Sequence, residues 1–369
     1  MTFKGKRKTA AIINLRHIEN NLKQIKQAAG EKKICAIVKA DAYGHGAVVV
    51  SEHLLKSGLV DYFGVATVEE GIELRNAGIK TPILFLGITF PDQFKSAIKY
   101  DLTVTVSSTE DIIQLNELAE ALNKQVKFHL ITDTGMGRIG VKPEEFQSLK
   151  QAVLNSKMLI FEGLFSHFSD ASNKVYSELQ TEKFKTAGDY FEKAPGKKLL
   201  KHMANSGAIL NLPDSHFDMV RPGIILYGYK PYDNCKNAEF FSPAMTFRTE
   251  ISFIKYLKKG TVISYGANTL TDEDCYIATL PVGYADGISR SLSGKMKVRI
   301  NNKSYNQIGK ITMDQIMINL EQDFYEQGTE VIIFDDDSYT ADDFADLAGT
   351  IPYEVTCNIS KRVTRYYIK

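Results

Sequence analysis

The chain has 369 residues, 44% of them hydrophobic and 24% charged: ample material for a core, and more length than one domain of common size, so a large domain with a smaller companion is expected. Lys and Arg number 45 against 44 Asp and Glu, a formal net charge of +1, which excludes a surface built for nucleic acid or anionic lipid. No run reaches the roughly 18 apolar residues of a membrane helix, no apolar signal core follows the basic start, and Cys35, Cys235, Cys275 and Cys357 show neither metal-ligand nor redox spacing; a cytoplasmic chain with reduced thiols and no metal is expected.

Lys4, Lys6, Arg7 and Lys8 read as a short solvated arm. Asn14 is a plausible N-cap for a helix carrying Ile18, Leu22 and Ile25 on one stripe. Short apolar runs then alternate with helical patterns: Lys33–Val38, Tyr62–Thr67, Ile83–Gly87, Leu102–Ser107, Val126–Ile131, Leu159–His167, Leu199–Ala204 and His216–Arg221. Several are nearly continuous hydrophobics, as parallel strands buried on both faces should be. Between them, Glu110–Leu122 reads as a helix with Ile113, Leu118 and Leu122 inward. Eight strands with intervening helices predict a (β/α)8 TIM-like barrel over residues 1–240. A doubly wound open sheet competes, weakened by the lack of a GxGxxG turn after the first strand.

From about residue 241 to 369 the pattern becomes mostly β, with runs at Phe247–Leu257, Cys275–Val282, Lys295–Ile300, Tyr305–Ile311, Met317–Leu320, Val331–Phe334 and Lys361–Ile368. One late helix is expected behind the capping box Thr340–Asp343, with Phe344 and Leu347 inward. The acidic run Asp335–Asp337 reads as a turn rather than a metal site.

In a barrel, chemistry gathers at the C-terminal strand ends. The first ends in Val38-Lys39, followed by Tyr43-Gly-His-Gly46; the fifth leads into Asp133-Thr-Gly-Met-Gly-Arg138; the sixth ends at Ser166-His167; the seventh at Asn205-Ser206-Gly207; the eighth at Arg221-Pro-Gly223-Ile224. A lysine desolvated at a strand end favours the neutral amine that Schiff-base chemistry needs. Strands seven and eight supply the phosphate site of such barrels, with Ser206 and the backbone of Gly223 and Ile224 as donors. Taken singly, each residue has an ordinary reading: a solvated lysine, a satisfied core histidine, a structural arginine, an N-cap. Together they suit a phosphate-bearing aldehyde, pyridoxal 5′-phosphate.

The blocks Ala36–Gly46, Asp133–Gly140, Ala204–Gly207, Val220–Ile224, Ser264–Gly266, Val282–Gly287, Met313–Gln315 and Pro352–Glu354 make the chain resemble the alanine racemases, fold-type III pyridoxal-phosphate enzymes, from about residue 8 onward. The resemblance implies an isomerase that interconverts L- and D-alanine and supplies D-alanine for peptidoglycan. It implies that Lys39 anchors the cofactor and is the base on one face of the substrate. Tyr265, from the second domain of the other subunit of a homodimer, is the base on the opposite face. Tyr43, Asn205, Ser206, Gly223, Ile224 and Tyr353 surround the cofactor, while His167 and Arg221 form a network that favours the phenolate. Arg138 and the backbone N–H of Met313, again from the partner, hold the substrate carboxylate. Arg221 faces the pyridine nitrogen; because arginine does not give up its proton, that nitrogen accepts a hydrogen bond and the electron sink weakens, which suits racemisation.

One position departs from the family. Relatives often carry a carbamylated lysine where Ile131 stands, so Arg138 must be oriented by another means. Three readings compete on the same fold: a pyridoxal-phosphate carrier without turnover, a decarboxylase, and a serine or broad-specificity racemase. The retained Tyr265 and Tyr353 oppose the first, and Arg221 in place of a carboxylate opposes the second. A side-chain pocket crowded by Tyr265 and Tyr353 to about a methyl group favours alanine over serine.

Overall fold

The computed structural model describes residues 7–88, 90–192, 198–233 and 235–369. Eight parallel strands form the larger unit: β2 (Lys33–Ile37), β3 (Tyr62–Val65), β4 (Ile83–Phe85), β5 (Val104–Val106), β6 (Val126–Ile131), β7 (Leu159–Phe165), β8 (Leu200–His202) and β9 (Met219–Val220). They pair in the orders β4-β3-β2-β9 and β5-β6-β7-β8. Two seams close the ring. A parallel bridge between Leu84 and Thr103 joins the first group to the second. Across the other seam, Asp218 N–H donates to Lys201 O and Arg221 N–H to Ala204 O, each at 2.9 Å. The open sheet is thereby replaced by a closed barrel, and all eight expected runs contribute a strand.

The helices follow their local signals. Asn14 Oδ1 caps Leu15–Ala29, whose Ile18, Leu22 and Ile25 are buried. Helix Thr109–Ala121 buries Ile112, Leu115 and Ala119, whereas the expected Ile113 and Leu122 are exposed. The Ser108 cap, which accepts from Asp111 N, starts the helix so that the inward stripe lies beside the one assigned from spacing.

The second unit is one nine-stranded sheet. Its strands are β10 (Met245–Glu250), β11 (Phe253–Leu257), β12 (Cys275–Leu280), β13 (Lys297–Ile300), β14 (Lys303–Ile308), β15 (Ile316–Asn319), β16 (Glu330–Phe334) and β17 (Thr364–Ile368), together with β1 (Ala10–Asn14) from the start of the chain. β1 pairs antiparallel with β10 and parallel with β17. Residues 10–14, grouped with the barrel on sequence order, therefore belong to this sheet: both their backbone edges are satisfied by strands more than 200 residues away. The capping box at Thr340 and Asp343 opens helix Ala341–Ala348, with Phe344 buried and Leu347 exposed. Asp335 accepts the N–H groups of Asp337, Ser338 and Tyr339, so the acidic run is a turn. Lys4 and Lys6 lie outside the described residues; Arg7 is no free cation, for its fork closes on the buried carboxylate of Asp286 at 2.5 and 2.8 Å.

Candidate active site

A cavity of about 690 Å³ opens at the C-terminal strand ends, bordered by Lys39, Tyr43, Arg138, His167, Asn205, Ser206, Arg221, Gly223, Ile224 and Tyr353. Nine of these come from the barrel and its loops. Tyr353 is brought in by helix Pro352–Cys357 of the second unit, with its ring centroid 5.8 Å from that of Tyr43.

Lys39 follows β2, and the four residues after it, Ala40 to Tyr43, all take left-handed backbone angles with φ of 51–54°. Such a turn is costly for side-chain-bearing residues and is held by named bonds. Glu70 Oε1 accepts from Ala40 N–H at 2.6 Å, and its other oxygen accepts from Ala66 N–H at 2.7 Å. Asp41 accepts from Ala47 N–H at 2.7 Å. Gly44 ends the turn at positive φ, and a Cβ there would overlap the Thr356 carbonyl. Glu70 was legible only as the second half of the capping box Thr67–Glu70. Its grip on the lysine loop depends on β2 and β3 being neighbours, which no local pattern reports.

The electrostatics favour a neutral amine. Burial, then the cations Arg138 and Arg221, lower the Lys39 pKa against the opposing pull of Glu70. Burial, then Arg221, Arg138 and Lys39, push His167 down to about 3, so its imidazole is neutral. Burial keeps the Tyr43 phenol protonated and able to donate.

Ser206 Oγ accepts from Gly223 N–H at 2.9 Å, tying the ends of β8 and β9 together. A Cβ on Gly223 would lie 2.6 Å from Tyr43 Oη, so glycine leaves the hydroxyl its place on the cavity wall. Asn205 borders the cavity while capping helix Ser206–Asn211 through Ala208 N–H. Arg221 is buried, 4% exposed. Its two terminal nitrogens bond the carbonyls of His202, Ser166 and Met203 and the Nδ1 atoms of His202 and His167. Among the described residues, Lys39 Nζ, Tyr43 Oη and Arg221 Nε have no hydrogen-bond partner, though all three residues border one cavity. An amine, a phenol and a guanidinium N–H converging with the Ser206–Gly223 corner fit an aldehyde-bearing ring with a phosphate arm.

Arg138 borders the same cavity, and its charge is felt by Lys39 and His167. Ile131 is buried on the cavity wall and offers it no charge. The turn that carries Arg138 is ordered instead from the backbone, where Asp133 accepts from Gly135 and Gly137 N–H at 2.9 and 3.1 Å.

Tyr265 and Met313 do not join this cluster. They are 72% and 52% exposed and share a separate depression with Tyr284, Arg290, Ile311, Thr312, Asp314 and Gln315. One chain thus carries ten of the twelve expected residues in one place and two in another.

A family model described as the alanine racemase N-terminal domain matches residues 13–231, and one described as the C-terminal domain matches residues 244–367. The chain is 44% identical to alanine racemase 1 of Clostridium acetobutylicum, over 100% of this chain and 97% of that protein. It is 41% identical to the alanine racemase of Treponema denticola, covering 98% of each. Among solved structures, an alanine racemase of Clostridium difficile superposes with a TM-score of 0.93 at 41% identity, over 98% of this chain and 96% of that one. The alanine racemase from Bacillus anthracis with bound L-Ala-P superposes with a TM-score of 0.92 at 33% identity, over 98% and 95%.

Proposed function

The chain belongs to the alanine racemase family of isomerases, and from that premise we propose that it interconverts L- and D-alanine with pyridoxal 5′-phosphate held on Lys39 and with Tyr265 of a second copy as the opposite base. The observation that carries this reading is the division of the site. Lys39, Arg221, His167, Tyr43, Ser206 and Tyr353 border one cavity, while Tyr265 and Met313 are exposed in a separate depression. The bound cofactor supplies an electron-withdrawing ring that acidifies the substrate Cα–H. Lys39, whose pKa is lowered by burial, would anchor that ring and move a proton on one side of Cα. Tyr265 moves the proton on the other side; a single base would tend to return the proton to the face it left.

Arg221 would donate to the ring nitrogen, and the neutral His167 accepts from its Nη2. Tyr43, Asn205, Ser206 and the Gly223–Ile224 backbone surround the phosphate arm. Arg138 and the partner copy's Met313 N–H bind the substrate carboxylate, and Tyr353 with Tyr265 narrows the side-chain pocket to about a methyl group. The enzyme is a homodimer in this reading. Its thiols, of which Cys35, Cys235 and Cys275 are buried and unpaired, suit the reducing cytoplasm, where it would supply D-alanine to peptidoglycan. No helix among the described residues is long and apolar enough to cross a membrane.

The test is loss of optical rotation when the cofactor-loaded protein is incubated with L-alanine. Lys39→Ala and Tyr265→Phe should each slow it by about 10²-fold or more, the usual scale for a lost acid–base group. Full activity in either variant removes that residue from its role.

A further inference from the structure

Arg221 is a buried cation that no carboxylate touches among the described residues. A guanidinium only donates, so the 2.7 Å contact from Arg221 Nη1 makes His202 Nδ1 an acceptor and puts the His202 proton on Nε2. That Nε2 lies 2.8 Å from His129 Nδ1, which must therefore accept, leaving the His129 proton on Nε2 as well. His129 Nε2–H then points to Glu162 Oε2 at 3.3 Å, while Lys127 Nζ holds the other Glu162 oxygen at 2.6 Å. Each tautomer is forced by its neighbour, and the donors all run one way, from Arg221 to Glu162.

The path crosses the barrel interior. His202, last in β8, and Arg221, just beyond β9, lie at the cavity end; Lys127 is the second residue of β6, toward the opposite end. Both imidazoles are fully buried. His202 stacks on Phe165 with 4.9 Å between centroids and 6° between planes. His129 lies against Gly163, where a Cβ would come within 2.7 Å of the ring; a bulge between Phe128 and His129 sets that register. Burial lowers the pKa of both histidines, so they stay neutral. Burial alone would raise Glu162, but the bonds from His129 and Lys127 outweigh it and hold it at about 2, so it stays charged.

We propose that Glu162 is a remote positioning residue for Arg221: through the one-way chain His129–His202 it supplies the counter-charge and fixes the donor direction that keeps the guanidinium in place, with Nε–H free toward the cavity. The part concerning the cofactor rests on the reading of Arg221 as the ring-nitrogen partner; the hydrogen-bond chain itself does not.

The experiment is long-range ¹H–¹⁵N correlation on the cofactor-loaded protein with ¹⁵N-labelled histidine, joined to equilibrium dialysis of pyridoxal phosphate. In the unaltered protein His129 and His202 should both show the neutral Nε2–H pattern near pH 7; an Nδ1–H tautomer at either ring overturns the proposal, whatever any variant does. In Glu162→Gln, the His202 ¹⁵N shifts should move although Glu162 does not touch His202, while the Nε2–H pattern that Arg221 imposes is retained. Cofactor affinity should fall about tenfold, the lower end of what removal of an outer partner costs a ligating group. Gly163→Ala, which displaces the His129 ring without altering charge, should disturb His202 in the same way. His202 signals unchanged in Glu162→Gln refute the relay. Disturbed signals with unchanged cofactor affinity uphold the relay and count against Arg221 as the ring-nitrogen partner.

Discussion

Lys39→Ala in one set of chains and Tyr265→Ala in another separates a site built within one chain from a site built between two. In the structure these residues occupy different depressions, and Tyr265 is 72% exposed. A two-fold dimer that brings the depressions together makes two equivalent sites, each with Lys39 from one copy and Tyr265 from the other. Each homodimer of a single variant then lacks one base at both sites. A mixed dimer has one site lacking both bases and one lacking neither. Random assortment of equal amounts puts half the chains in mixed dimers, so co-expression should restore about one quarter of the unaltered activity. The assay is racemisation of L-alanine by dimers purified through two different affinity tags, which selects the mixed species and should raise the value to about one half. Activity no higher than that of the single variants would refute the shared site, as would full turnover by an isolated monomer.

Two further outcomes follow from burial and from close approach. His45 is pushed down to about 4 by burial, His167 to about 3 by burial and cations, and His129, His202 and His216 are also lowered from 6.5. Below pH 6.5 the unfolded chain takes up protons that the folded one refuses, so stability is full above that value and falls with pH, by up to about 1.4 kcal/mol per pH unit for each such histidine. The Glu162 contribution behaves likewise lower down, complete above 4.5 and lost as pH falls toward 2. Melting followed by circular dichroism should therefore show a falling Tm from about pH 6.5 downward, and a flat profile to about pH 5 would contradict the buried neutral imidazoles. Gly223→Ala places a Cβ 2.6 Å from Tyr43 Oη. Overpacking of about 1–3 kcal/mol, relieved by moving that hydroxyl off the cavity wall, should weaken pyridoxal phosphate binding by roughly tenfold in dialysis; an unaltered Kd would remove Tyr43 from the cofactor's surroundings.

Much of this architecture is local and was therefore legible. Near-continuous apolar runs separated by capped helices give parallel strands, and their ends give the positions of Lys39, His167, Ser206 and Arg221 without knowledge of pairing. What escaped is set by partners distant in sequence. Ala10–Asn14 reads as a mixed segment, and only β10 and β17 make it an interior strand of the second sheet. His129 and His202 are polar residues inside apolar strands, a visible anomaly, but their link to Glu162 and Arg221 depends on the order β6-β7-β8 and on a bulge in β6/β7 pairing. The His216–Arg221 run shrinks to Met219–Val220 because Pro213–Ser215 and His216 form a 3₁₀ turn and Pro222 cannot donate to a neighbour.

The lysine turn joins these two kinds of information. Four left-handed residues at about 1–2 kcal/mol each would be a large fraction of a domain's stability if nothing opposed them. Opposition comes from three directions: the Glu70 carboxylate from the first turn of helix Val68–Asn76, the Asp41 side chain on Ala47 N–H, and Arg365 of β17, whose Nε donates to the Gly44 carbonyl at 3.1 Å. Ala42 and Tyr43 are buried in the process. The turn is thus held at once by the barrel and by the second sheet, so the direction in which Lys39 leaves its strand is fixed by contacts that need no ligand. A base that must meet one face of a small carbon acid benefits from that arrangement, since the cost of ordering it is met on folding rather than on binding.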